Sequence, residues 1–305
     1  MGIKPGTGSD STSLEYSFKF NPPMDHIVAE RNLKEAKQIL AQAGITFMLF
    51  SGACLGAVRE GAFIPWDDDI DILSVMGINN LTEERLSTGL NLFAENGYFI
   101  KEVNGTYSRA FSMIKDHVRI GWDADYIVDD TIKVYPGIPM PSKLFTDPKE
   151  IEFLGERFLV PNPPQEYLRL KYGKEWMIPK RAGEYEYDVV EKIPDVALVG
   201  QPARIRILKH DGKPVYGAEV GVVGGSRSNT DQLGYAKVIL SGPDFYALTI
   251  NYPGHKQVLY MEEIEPQRTY VYQEILDYFP SESIGTLGNV LIPEEDYVAG
   301  ERPFN

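Results

Sequence analysis

With one cysteine, Cys54, in 305 residues, the chain can form no internal disulfide and has no set of thiolates for a zinc centre. It has no run of about 18 apolar residues, the length a membrane-spanning helix needs. Its first ten residues are rich in Gly and Ser without an apolar core, so no secretory signal is expected there. Basic residues are scarce: 30 Lys and Arg stand against 44 Asp and Glu, giving a formal net charge of −14 and a pI of about 4.8. Such a surface repels phosphate backbones, which excludes general nucleic-acid binding but leaves room for a local pocket for one nucleotide. Together these absences predict a soluble, cytoplasmic chain with no membrane span, and leave peripheral membrane association open.

The chain is longer than one typical domain, and its hydrophobic content of 43% is ample for a core. Residues 1–22 read as a flexible leader ending at Pro22-Pro23. Residues 23–195 read as a mixed α+β domain. Ala29, Leu33, Ala36, Leu40 and Ala43 recur at helical spacing from about Asp25, with Gly44 as the stop. The apolar run 45–50 suits a buried strand. A Ser51-Gly52 turn follows, then one or two helical turns over 55–59, a loop over 61–68 and a strand over 69–75. Thr82 can cap a helix that carries Leu86, Leu90 and Phe93 on one face and stops at Gly97. Asn104-Gly105 signals a hairpin. Strand-like residues continue over 118–134, Pro136, Pro139 and Pro141 break the pattern, 151–160 is again strand-like, and 163–176 reads as a helix.

From about residue 196 the pattern changes to short alternating strands separated by turns such as Asp211-Gly212 and Pro253-Gly254. The inward positions are Ile205, Ile207, Val220, Val222, Val238, Leu240, Leu248, Ile250 and Val271. This predicts a small all-β sandwich over 196–275, followed over 276–305 by an irregular acidic tail with Glu294, Glu295 and Asp296.

The chemistry concentrates between Phe50 and Ile72. Residues two apart on a strand share a face, so Asp69 and Asp71 point together while Ile70 and Ile72 point into the core. At the usual strand rise their Cα atoms stand about 6 to 7 Å apart. Both side chains can then reach one hard divalent cation through oxygen ligands at about 2.0–2.1 Å. A solvated acidic edge is the plain competing reading, but the apolar flanks Phe63, Ile64 and Trp66 fit it poorly. A calcium loop starting at Asp67 fails because Ile72 and Ile78 stand where it needs Gly and Glu. Ser51-Gly52, between strand and helix, lets the backbone approach a phosphate, with helix N–H groups to meet it and Arg59 as a further contact.

Ser51-Gly52, Leu55-Gly56-Ala57-Val58-Arg59 and Phe63 through Ile72 resemble the motif of the LicD family. That family includes bacterial phosphocholine transferases and animal fukutin-type ribitol-phosphate transferases. Val160-Pro161, Tyr167-Leu168 and Tyr172-Gly173-Lys174-Glu175-Trp176 are similar to its closing pattern, so the resemblance spans about 25–180. Ala53 and Cys54 depart from it, standing where the family has Thr-Leu. The resemblance implies a nucleotidyltransferase-like mixed sheet with flanking helices. It also implies Mg²⁺- or Mn²⁺-assisted transfer of a phospho-alcohol from a CDP-linked donor, such as CDP-choline or CDP-ribitol, to a sugar hydroxyl. The acceptor would be a cell-surface glycan of the lipopolysaccharide or teichoic-acid kind, or its precursor. Asp69 and Asp71 then hold the metal, with Asp123 as third carboxylate or, alternatively, Asp125. Two other readings stay open: a nucleotidyltransferase that moves NMP from an NTP, and an inactive protein that binds a glycan or partner. The segment 200–273 is similar to carboxypeptidase-regulatory-like sandwiches of Ig/transthyretin type, for which a spacer role is expected.

Overall fold

The computed structural model describes residues 6–104, 108–180, 190, 193–195, 199–274, 286–287 and 290–298. The chain forms two compact units, Met1–Ala182 and Gly183–Asn305.

In the first unit, the expected flexible leader contains a helix, α1, over Ser11–Phe20. Asp10 caps it by accepting from the Ser13 N–H, and Asn21 closes it in the left-handed region. Its buried residues are Ser13, Leu14 and Ser17, so two of the three are polar, and apolar periodicity could not announce it. α2 (His26–Gln42) begins at the Asp25 cap and buries Ala29, Leu33, Ala36, Ile39 and Leu40. β1 (Met48–Leu49) is shorter than its apolar run, and α3 (Ser51–Arg59) starts at once after Phe50. β2 spans Asp69–Val75, α4 spans Glu83–Glu95 behind its Thr82 cap, and β3 spans Phe99–Asn104. β4 spans Ser108–Lys115 and β5 spans Val118–Asp125. β3 and β4 pair antiparallel as the hairpin signal predicts, although Gly105 of the turn lies outside the described residues.

These strands form one mixed sheet in the order β1-β2-β5-β4-β3. β2 and β5 are parallel and the other neighbours antiparallel. The strand period of two gives each face its own composition. Ile70, Ile72 and Ser74 align with Ile120, Trp122 and Ala124 on one face. α4 covers this face: the Phe93 ring lies 6.0 Å from Trp122, and a side chain on Gly89 would meet the Trp122 ring at 3.2 Å. Trp122 is fully buried, and its indole N–H donates to Ser74 Oγ at 3.1 Å. Burying an aromatic core residue of this kind contributes about 2–3 kcal/mol. The opposite face carries Asp69 and Asp71 beside Arg119, Gly121, Asp123 and Asp125.

The remainder of this unit comprises β6 (Thr131–Val134), β7 (Ile138–Pro141), α5 (Lys143–Thr146), β8 (Lys149–Phe153), β9 (Glu156–Val160) and α6 (Pro164–Tyr172). Pro139 and Pro141 do not end the strand pattern as expected. They sit in β7 of a two-stranded sheet, where an edge tolerates a missing N–H.

The second unit contains β10 (Gln201–Leu208), β11 (Glu219–Val222), β12 (Arg227–Asn229), β13 (Tyr235–Leu240), β14 (Asp244–Tyr252), β15 (His255–Ile264), β16 (Thr269–Gln273), β17 (Thr286–Leu287) and β18 (Ile292–Pro293). One sheet runs β13-β10-β16-β18 and the other β12-β11-β14-β15-β17. Ile205, Ile207, Val238 and Leu240 of the first sheet share one buried core with Val220, Val222, Leu248 and Ile250 of the second. On β16 the residues in this core are Tyr270 and Tyr272, not Val271 as expected. Parallel pairing sets them beside Ile205 and Ile207, and that register turns Val271 to the other face. The described part of the acidic tail is not wholly irregular, because β18 pairs with β16.

Candidate active site

Asp69 and Asp71 leave the same face of β2, and their parallel partners on β5 are Arg119 and Gly121. Gly121 is bare. A Cβ there would lie 3.3 Å from Asp71 Oδ1 and 4.0 Å from Asp69 Oδ2, so the missing side chain keeps space open beside both carboxylates. Asp71 Oδ2 accepts the Gly52 N–H at 3.2 Å. Asp123 stands two residues past Gly121 on the same face, level with Leu73.

Charge ties these groups together. Burial pushes the Asp71 carboxyl well above the usual carboxylate range, and repulsion from Asp69, Asp67 and Asp123 adds to the shift. Asp123 is pushed up to about 6 by burial, against the nearby Lys171 ammonium, with Asp69 raising it further. Asp125 is raised by burial and then by Asp123. Between the two candidates for a third carboxylate, Asp123 is the one coupled to the Asp69/Asp71 pair.

The closest acidic grouping among the described residues differs from the expected one. Asp67, Asp68 and Asp69 bring carboxylate oxygens within 4.8 Å of one another. Arg119, 4% exposed, bridges two of them: its Nη2 donates to Asp68 Oδ2 at 2.5 Å and to Asp69 Oδ2 at 2.9 Å. Burial works against the Arg119 charge, but Asp69 and Asp68 outweigh it and hold the guanidinium above the usual arginine range. Burial also pushes Asp68 up to about 6, an effect that Arg119 opposes and Asp69 reinforces. Asp67 is raised well above its ordinary value by burial, then by Asp69 and Asp68, and its buried Oδ2 has no hydrogen-bond partner.

The Ser51-Gly52 turn is built differently from a free phosphate cradle. The Ser51 N–H donates to Tyr167 Oη at 3.0 Å and the Gly52 N–H to Asp71. Gly52 is required because Asp67 packs against it: a Cβ there would fall 2.5 Å from Asp67 Oδ2. Arg59 lies at the other end of the helix that this turn begins. It ends α3, about 12 Å from Ser51 at the α-helical rise. Its buried guanidinium is tied to the Glu60 carboxylate at 2.7 Å and the Trp176 carbonyl at 3.3 Å.

Sequence reasoning missed Arg119, Gly121, Lys171 and Tyr167 as site residues. Tyr167 and Lys171 are four apart on α6 and so share a helix face. Lys171 is buried and donates to the Tyr135 carbonyl. On β5, Arg119, Gly121 and Asp123 alternate with Ile120, Trp122 and Ala124, which is the same pattern of two that singles out Asp69 and Asp71.

The residues present suit a hard divalent cation. Among the described residues, the carboxylates of Asp67, Asp68, Asp69, Asp71, Asp123 and Asp125 outnumber the neighbouring cations Arg119 and Lys171. Buried charge of one sign calls for a counter-ion or a proton. Gly121 and the orphaned Asp67 Oδ2 belong to the same centre.

The first unit thus sets paired aspartates of a mixed sheet beside a strand-to-helix glycine turn. Residues 44–163 match the family model LicD/FKTN/FKRP, nucleotidyltransferase domain, so this part of the chain resembles that family's domain. It is similar to ribitol 5-phosphate transferase FKRP of Mus musculus, with 24% identity over 172 residues, covering 54% of this chain and 35% of the relative. Ribitol-5-phosphate transferase FKTN of Homo sapiens is 26% identical over 169 residues, covering 52% and 35%. An uncharacterized protein of Rickettsia prowazekii is 35% identical over 83 residues, covering 27% and 28%. The chain thus spans about a third of the length of the transferases it matches. Among solved structures, ANT(2")-Ia in complex with adenylyl-2"-tobramycin aligns with a TM-score of 0.32 and 13% identity, covering 43% of this chain and 68% of that one. No helix among the described residues is long and apolar enough to cross a membrane.

Proposed function

We propose that the Met1–Ala182 unit is a metal-dependent phosphotransferase. It moves a phospho-alcohol of the phosphocholine or ribitol-phosphate kind from a CDP-linked donor to a sugar hydroxyl of a cell-surface glycan or its precursor. The observation that carries this reading is the coupling of Asp69, Asp71 and Asp123 around the bare Gly121, with more buried negative charge than Arg119 and Lys171 balance. The names of the similar transferases supply the substrate class.

Asp69, Asp71 and Asp123 would hold Mg²⁺ or Mn²⁺ through carboxylate oxygens. When bound, such an ion offsets the diphosphate charge and stabilises the departing CMP. Asp71, anchored on the Gly52 N–H, keeps its second oxygen turned toward Gly121. Lys171 supplies positive charge beside Asp123. A carboxylate of this group takes the proton of the attacking sugar hydroxyl as the new P–O bond forms and the P–O bond to CMP breaks.

The test is CMP release from CDP-choline, CDP-ribitol and CDP-glycerol, each with a sugar acceptor, with and without Mg²⁺ or Mn²⁺. Metal-dependent release from one donor supports the reading. Pyrophosphate release from an NTP would replace it with NMP transfer, and silence in both assays together with glycan binding would make the chain a binding protein.

For the second unit we propose a spacer module of the carboxypeptidase-regulatory-like, Ig/transthyretin sandwich type, supported by two sheets around one core. Glycan binding that survives Asp71→Ala would overturn the spacer role. A cytoplasmic location, where CDP-linked donors are made, completes the proposal, and cell fractionation tests it.

A further inference from the structure

Arg119 is held from every side. Its Nε and Nη2 both donate to one oxygen of Asp69, Oδ2, at 3.0 and 2.9 Å. Nη2 also reaches Asp68 Oδ2, and Nη1 donates to Ser17 Oγ at 3.2 Å. Ser17 donates its own hydroxyl hydrogen to the Leu14 carbonyl at 2.8 Å, so its oxygen meets Arg119 as an oriented acceptor. The Phe18 ring lies 4.5 Å from the guanidinium carbon. Both Ser17 and Phe18 belong to α1, which precedes the segment matched by the family model.

The same stretch of chain is fixed to the turn that starts β5. The His117 N–H donates to the Gly8 carbonyl at 2.9 Å and the Asp116 N–H to Ser9 Oγ at 3.1 Å. Gly8 and Ser9, just before α1, therefore hold the entry of β5, while Ser17 and Phe18 of α1 set the plane of the Arg119 guanidinium. With both donors on Oδ2, the Asp69 carboxylate can no longer rotate freely, and these bonds leave Oδ1 open.

We propose that Arg119, locked by Ser17 and Phe18, is a positioning residue that fixes which oxygen Asp69 offers to a divalent cation, making α1 part of the metal centre. The inference rests on the metal reading of the site. Charge balance alone would be served by any cation at 119, whereas this arrangement needs the planar fork of an arginine, which lysine cannot reproduce. A residue that orients a metal ligand contributes about 10–100-fold in metal affinity.

Mn²⁺ titration of the full-length chain by calorimetry tests this with wild type, Arg119→Lys and Ser17→Ala, alongside metal-free melting curves. Arg119→Lys should weaken Mn²⁺ binding by roughly tenfold or more while its charge is retained. Ser17→Ala, which removes one acceptor without touching an aspartate, should weaken it by up to about tenfold. Losses in affinity without loss of the metal-free fold support the inference. Wild-type Mn²⁺ uptake with unchanged affinity in both variants overturns it and leaves the metal reading standing. A wild-type chain that takes up no Mn²⁺ brings both down. Should Arg119→Lys fail to fold, Ser17→Ala and Phe18→Leu make the same comparison, and unchanged affinity in both again overturns the inference.

Discussion

Gly121 stands in parallel register with Asp71, and a methyl group in place of its hydrogen would press on Asp71 Oδ1 at 3.3 Å. The strand backbone accepts alanine, so Gly121→Ala should fold while crowding the carboxylates. Mn²⁺ affinity should fall by about 10–100-fold, and CMP release with it. Gly121→Val, with two more carbons in the same space, should abolish both. Wild-type Mn²⁺ affinity in Gly121→Ala would show that the open space beside Asp71 is not where the ion binds.

Asp71→Asn separates function from stability. Burial and three neighbouring carboxylates oppose the Asp71 charge, so a neutral isostere relieves the metal-free fold while keeping an acceptor for the Gly52 N–H. A gain of about 1 kcal/mol would raise the melting temperature of a unit this size by ~2–4 °C. Mn²⁺ at one hundred times its dissociation constant should stabilise wild type by about 2.7 kcal/mol and leave Asp71→Asn unmoved. A variant less stable than metal-free wild type would contradict this charge balance.

Tyr167 and Arg59 should behave oppositely. Tyr167→Phe keeps the ring stacked on Phe50 at 5.5 Å but strips the acceptor from the Ser51 N–H. The expected cost is about 1–3 kcal/mol, with a higher KM for the CDP-linked donor because the turn beside Asp71 loosens. Arg59→Ala loses the Glu60 pair and the Trp176 carbonyl contact at the far end of α3. It should lower the melting temperature and leave the donor KM unchanged. A raised KM in Arg59→Ala would return that side chain to the phosphate site.

What the sequence made legible follows from how each signal arises. β2 is legible in full over Asp69–Val75, and α2 and α4 nearly so, because period and caps are local properties. The Asp69/Asp71 pair was legible for the same reason. Arg119 was not, since its role depends on β5 lying parallel to β2, a pairing between residues 50 apart. α1 buries Ser17 because it meets a guanidinium, and Ser13 because it accepts the Gly8 N–H and donates to Asp10. Ser51-Gly52 was legible as a turn, but its N–H groups are taken by Tyr167 and Asp71, which only the folded chain brings there. Val271 is apolar and fully buried, but register sets it on the opposite face of β16 from the shared core that Tyr270 and Tyr272 enter.

Glu262 makes the second unit sensitive to pH. It lies on β15, 1% exposed, with Oε1 and Oε2 accepting the Val290 and Leu291 N–H groups at 2.9 and 3.0 Å. Burial raises its pKa from 4.5 to about 7, against the pull of those two amides. Because the folded value lies above the unfolded one, the folded state binds the proton more tightly. The stabilisation is fully present below pH 4.5 and is lost as pH rises through about 7. The full span is about 3 kcal/mol. Glu262→Gln cannot ionise, so it should remove this slope while keeping an acceptor near the two amides. Hydrogen exchange at the Val290 and Leu291 amides, corrected for intrinsic rates and followed from pH 5 to 8, reads the effect locally. Wild type should lose protection relative to the variant as pH rises. Parallel protection curves would mean that Glu262 remains ionised in the fold and that the two N–H groups outweigh its burial.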